Sequence, residues 1–237
     1  NRGVIFSVYV MITLTVQAAG QFLILLYEPN GVELFAITSI LVTLAAIPIA
    51  LSTSPAPYID QNTSFDLKKL YKISPAAVIG CLFIGLANGS FWSLAPIFIS
   101  DVFADISFTA YFMTAVIVGG AIFQWPIGYL SDKIGRRKIT IITAAFSATI
   151  SFLIVSMIDT LNLSGLIITG IFWGGLTFPL YAVTVAHAND NAEPKEFVMV
   201  SSSLLLMYGL GAIIGPIISS GLMSYTKSSG LFLFTGI

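Results

Sequence analysis

Side chains able to do chemistry are scarce in this sequence, and they gather at one place. Residues 128 to 138, GYLSDKIGRRK, hold four cations and one carboxylate in a chain of 237 residues of which only 9% are charged. Their spacing reads as mechanics rather than catalysis. Gly128 removes a side chain where a helix packs closely, Asp132 falls at a helix end, and Gly135 permits the positive φ of a sharp turn. A carboxylate so placed can rest against the positive end of another helix. Lys133, Arg136, Arg137 and Lys138 would by themselves set the orientation of a membrane span. Orientation, however, makes no demand for Asp132, Gly128 and Gly135 at those spacings.

A second group is polar and uncharged. Thr13, Gln17 and Gln21 recur every four residues, as do Thr169, Trp173, Thr177 and Tyr181, while Asn88 and Trp92 share a helix face. An amide facing hydrocarbon is costly, so such residues either bond to a neighbouring helix or line a cavity. Gln17, Gln21, Asn88, Trp92, Trp173, Thr177 and Tyr181 are therefore the candidate cavity residues, and inter-helix bonding is the competing role for each. Aromatic rings beside a few amides and hydroxyls suit a small amphipathic organic solute. Enzymatic patterns are absent: there is no G-x-S-x-G, no Walker loop and no His or Cys cluster with metal spacing. GLGAIIG, from Gly209, has the wrong glycine spacing for a dinucleotide site and sits in an apolar run. No enzyme, metal or cofactor is expected. His187, in AHANDNAEPKE, is read as an interfacial group, with Asn189 and Asp190 as caps of the following helix.

The elements that must position these residues are membrane helices. Hydrophobic residues make up 57% of the chain and its mean hydropathy is +0.95, more apolar surface than a water-soluble fold can hide. Charge-free runs cover residues 4–26, 34–51, 75–100, 108–131, 139–158, 164–186 and 199–224, each near the ~20 residues that cross a bilayer as a helix. An eighth begins near Ser229. The expected class is an all-α membrane protein with seven full transmembrane helices and part of an eighth. A start at Asn1 and a stop about nine residues into the last apolar run read as a piece of a longer protein.

Nine of the ten Lys and Arg fall in alternate loops and only Lys227 falls opposite, which places the N-terminus and the 128–138 loop in the cytoplasm. A net charge of -1 and a pI near 5.7 offer no nucleic-acid face. Cys81 is the single cysteine, inside a span, so it is read as a small core residue. Residues 52–74, rich in proline and polar groups with no periodic apolar face, read as a linker between two bundles. AAGQFLI from Ala18 echoes IIGPIIS from Ile213 at an offset of 195, so that residues 1–42 would repeat as 196–237. Gly85 with Gly89, Gly170 with Gly174, and Gly211 with Gly215 are spaced for close helix packing, and Pro216 for a bend.

With Gly128, Asp132, Gly135, Arg136 and Arg137 in place, GYLSDKIGRRK resembles the loop signature of the major facilitator superfamily, G-x-L-[SA]-D-[RK]-x-G-[RK]-[RK]. IFQWPIG before it, NRG at residues 1–3 and GLGAIIGPIISSGL from 209 are most similar to a poorly characterised subgroup of bacterial inner-membrane permeases. The resemblance implies twelve helices in two bundles of six, of which this chain would supply helices five to twelve. Residues 1–51 would close the first bundle, 52–74 link the two, and 75–237 form the second, truncated in its last helix. It further implies alternating access, with Asp132 as a cytoplasmic latch onto the helix start at Asn1, Arg2 and Gly3. The first and fourth helices of each bundle would line the path, through Asn88, Trp92, Trp173 and Tyr181.

The implied activity is secondary active transport of a small organic solute by a monomeric, multi-pass protein of the plasma membrane, with a proton as the candidate coupling ion. A non-transporting sensor or assembly protein on the same fold is the alternative. No Asp, Glu, Lys, Arg or His lies inside a span core, so a coupling carboxylate would belong to helices upstream of Asn1.

Overall fold

The computed structural model describes residues 12–28, 31–52, 66–103 and 105–237. They form nine helices and, among the described residues, no strand. Helix α1 is Ile12–Leu25, its last turn Gln21–Leu25 tightened to a 3₁₀ helix. There follow α2 (Glu33–Ala50), α3 (Leu67–Ile73), α4 (Pro75–Val102), α5 (Ser107–Ile134), α6 (Arg136–Ser156), α7 (Leu163–Asp190), α8 (Phe197–Thr226) and α9 (Gly230–Thr235). Among the described residues α4, α5, α6, α7 and the α8–α9 stretch are long and apolar enough to cross a membrane. Each expected span from residue 75 onward has its helix, the partial eighth as the short α9. The span expected at 4–26 lies partly outside the described residues. The sequence fixes several helix starts by capping. Ser74 accepts from the amide of Ala77 at 3.3 Å with Pro75 in the first turn, and Asn162 accepts from the amide of Gly165 at 2.8 Å.

Helices α4 to α9 form one bundle, and glycine determines which of them touch. Lipid tails are as apolar as leucine, so helices in a bilayer associate through close packing rather than hydrophobic burial. A Cβ added at Gly85 or Gly89 of α4 would collide with the backbone of Tyr208 or Ala212 of α8; one at Gly211 or Gly215 would collide with Leu82 or Leu86. The α5·α7 pair repeats the arrangement, with Gly119 against Ile171, Gly174 against Val116, and Gly120 and Gly170 against Phe178 and Phe112. Both pairs run parallel and join helices that are not neighbours in sequence. Thus the first helix of each triplet, α4–α6 and α7–α9, packs on the second helix of the other. This is the symmetry of an internal inverted repeat.

Between the pairs lies a packed aromatic core. Trp173 is fully buried, stacked on Phe91 at 4.4 Å, and its indole N–H donates to Ser151 Oγ at 2.9 Å. Phe98 and Phe112 meet Phe232 of α9. Helix α1 lies outside this bundle against α5: Thr114 Oγ1 donates to the Ala18 carbonyl at 3.3 Å, and Phe22 meets Tyr111 edge-on at 5.8 Å.

The segment read as a linker between two bundles contains α3. Asp66 caps it through the amide of Lys69 at 2.9 Å, and Leu67, Leu70 and Ile73 recur at a spacing of three, with Leu70 fully buried against Ala77, Val200 and Leu204. Seven residues are too few for a periodic signal to stand out beside two prolines. Pro216 lies inside an unbroken α8.

Gly85→Ala and Gly174→Ala should each destabilise the bundle by about 1–3 kcal/mol, because the contact is backbone and cannot give way. Gly221, with open space around its Cβ position, is the control, and Gly221→Ala should be neutral or slightly stabilising. Thermal unfolding of purified protein in detergent reads both.

Candidate functional site

At the α5–α6 junction Gly135 has φ 109°, the positive value the sharp turn requires, and its amide donates to the Ser131 carbonyl at 3.1 Å. The helices on either side leave Asp132 and Arg136 one turn apart. Arg136 reaches Asp132 at 3.0 Å and also bonds through Nε to Asp190, in the last turn of α7. One guanidinium thus ties two carboxylates, and three helices meet at it. The rest of the cluster does less than its density suggests. Lys133 lies over the Tyr129 ring at 4.6 Å, and Arg137 is exposed.

Among the described residues a Cβ at Gly128 meets nothing within 4 Å. The Gly128 carbonyl accepts from Ser131 Oγ at 2.7 Å. Asp190 and Asn189 do not cap the next helix, since a 3₁₀ turn, Pro194–Glu196, capped by Glu193 with Glu196, stands between them and α8. The partnership of Arg136 with Asp190, 54 residues away, had no local signal. Asn1, Arg2 and Gly3 lie outside the described residues. Energetically the Arg136 cluster is half exposed, where ion pairs contribute at most ~1 kcal/mol. A device worth so little to stability can still bias two nearly balanced conformations.

The polar stripes are dispersed. Thr169 bonds back to its own helix, Trp173 lies in the aromatic core, and Thr177 Oγ1 meets Ser147 Oγ of α6 at 2.8 Å. Tyr181 turns instead to α8, where its ring meets Tyr208 at 5.1 Å. A residue every four drifts about 40° per step on a helix of 3.6 residues per turn, so a twelve-residue stripe serves several neighbours. Asn88 is only 5% exposed and Trp92 partly buried, its ring stacked on Phe178 at 5.7 Å. Gln17 is exposed and Gln21 half-buried on α1, the latter donating to the Gln17 carbonyl at 3.3 Å. Phe178 and Tyr208 were missed in the sequence, although Tyr208 occupies the repeat position of Thr13.

Two cavities open in the bundle. One of about 300 Å³ lies between α4, α6, α7 and α9, is largely apolar, and takes Thr177 alone from the candidates. The other, about 460 Å³, lies at the end opposite Arg136, among Asp101, Asp159, Lys227 and Ser228. Beside Arg136's end, Lys69 of α3 bonds Glu196 at 2.6 Å. The Lys69 ammonium and the amide of Glu193 hold the Glu196 carboxyl below its ordinary value.

Residues 77–237 match the family model described as Major Facilitator Superfamily. The chain is 24% identical over 235 residues to an uncharacterized MFS-type transporter, YcaD, of Escherichia fergusonii. The YcaD proteins of Escherichia coli O17:K52:H18 and Shigella flexneri are equally similar; each alignment covers 98% of this chain and 60% of the relative.

A depressed carboxyl pKa stabilises the fold above the ordinary carboxylate range and loses that contribution as the pH falls through the depressed value. The thermal-stability gap between the native protein and Glu196→Gln should therefore be widest near neutrality. It should close as the pH drops below about 4. Thermal scans across pH check this.

Proposed function

The chain belongs to the major facilitator superfamily, and from that premise we propose that it is part of a secondary active transporter moving a small organic solute by alternating access. It spans 60% of the length of the relatives it matches. Residues 1–51 are the last two helices of one bundle, 52–74 the link, and 75–237 the second bundle, with Gly128–Arg137 facing the cytoplasm of a bacterial cell. The observation that carries the reading is the junction at Arg136, where one cation gathers Asp132 and Asp190 from the ends of two helices, α5 and α7, at the same end of the bundle.

The contact of α1 with α5 lies in the first turns of α5, away from Asp132, and supports a seam between the two bundles along these helices. Thr114 with Ala18, and Tyr111 with Phe22, set an antiparallel register. The latch proposed for Asp132 is a helix start at Asn1, Arg2 and Gly3, whose free amides would receive the carboxylate. Arg136 holds Asp132 in position between engagements. The solute is taken up on the inner face of the second bundle, at Asn88, Trp92 and Tyr181, with Gln17 and Gln21 across the seam. Trp173 and Thr177 hold that face from behind. A proton is the proposed coupling ion and the monomer the working unit.

In proteoliposomes of the full-length protein, Asp132→Asn should lower solute flux by about tenfold or more with little change in thermal stability. Unchanged flux would remove the latch. A folded protein that moves no member of a broad solute panel would favour a sensor or assembly role.

A further inference from the structure

Asn88 stands at the middle of α4, and its Oδ1 is buried without a hydrogen-bond partner among the described residues. A buried amide oxygen left unpaired is costly, and it is an acceptor, so what it lacks is a donor. Its surroundings are set by two contacts between α4 and α7. Trp92 stacks on Phe178, and three turns away Gly80 faces Thr184, whose Cγ2 is 3.4 Å from a Cβ built on the glycine. Asn88 lies between those points on α4, as Tyr181 does on α7. Tyr208 of α8 closes the group from the other side through its contact with Tyr181. Trp92, Phe178, Tyr181 and Tyr208 are all only partly buried, so their rings form a wall rather than a sealed core.

We propose that Asn88 and this aromatic wall select a flat amphipathic amine, the N–H group donating to Asn88 Oδ1 and the ring or the cationic nitrogen lying against Trp92, Tyr181 and Tyr208. Aromatic faces carry negative potential and attract cations. An anion would find no such match: the spans of this chain hold no Lys, Arg or His in their cores to neutralise it, and the open position on Asn88 is an acceptor. A sugar would leave the aromatic wall facing hydroxyls. This inference rests on the transport reading and names its solute class.

Tryptamine and indole-3-acetate share a ring and differ in charge, which makes them the probes. Full-length protein in detergent should bind tryptamine at least about tenfold more tightly than indole-3-acetate by equilibrium dialysis. Asn88→Ala should weaken tryptamine about tenfold, while Asn88→Asp, which keeps an acceptor and adds charge, should retain or tighten it. Trp92→Leu should weaken it and Trp92→Phe should not. Binding of neither probe, equal binding of both, or an unchanged affinity in Asn88→Ala would overturn the assignment. Because Asn88→Asp reports in the opposite direction, loss in Asn88→Ala through misfolding is distinguished. Flux of an anion or a sugar, with no tryptamine binding, would sink the amine class and leave transport standing. Tryptamine binding without any flux would do the reverse.

Discussion

The structure depends on backbone meeting backbone. A bilayer offers no hydrophobic reward for bringing two apolar helices together, so the bundle must be held by dispersion and short-range packing, which fall off within an ångström or so. Gly85, Gly89, Gly211 and Gly215 let α4 and α8 close to that distance, and Gly119 and Gly174 do the same for α5 and α7. Two tight diagonal pairs then leave only the filling to be done, by Phe91, Phe98, Phe112, Trp173 and Phe232. Such an interface has one good arrangement and resists small sliding. That makes α4–α9 suited to move as a unit.

What surrounds the unit is built differently. Among the described residues the contact of α1 with α5 includes a hydroxyl-to-carbonyl bond and an edge-on aromatic pair, and the Arg136 junction is made of partly exposed charges. These are interactions of about a kcal/mol, easily exchanged for others. Strong packing inside the bundle and weak, replaceable contacts at its border are what alternating access asks of a protein: rigid bodies and a seam that can re-form elsewhere. The clasp of α3 through Lys69 and Glu196 ties it to the start of α8 without adding a strong bond.

The helices were legible in the sequence because an apolar run of twenty residues has few alternatives in a membrane, and the turn at Gly135 was legible because only glycine takes its φ freely. The glycine pairs could be recognised as packing motifs, but not which helix each would meet, since pairing joins helices some 120 residues apart in α4·α8. The polar stripe of α7 misled because a spacing of four is not the helical period, so Trp173 and Thr177 face α6 while Tyr181 faces α8. Asp190 was read locally as a cap, and its bond to Arg136 is a tertiary fact. Asn88 and Trp92 are only one turn apart, a spacing over which the drift is small.

Spin labels in the full-length protein test most directly whether packing divides the molecule as described. One pair, at Ile79 and Leu205, reports α4 against α8; another, at Val16 and Ile122, reports α1 against α5, all four being exposed positions. The account predicts a single, narrow α4–α8 distance that does not change as solute and pH are varied, and an α1–α5 distance that splits into two populations. An α4–α8 distance that shifts with conditions while α1 and α5 stay fixed would contradict it.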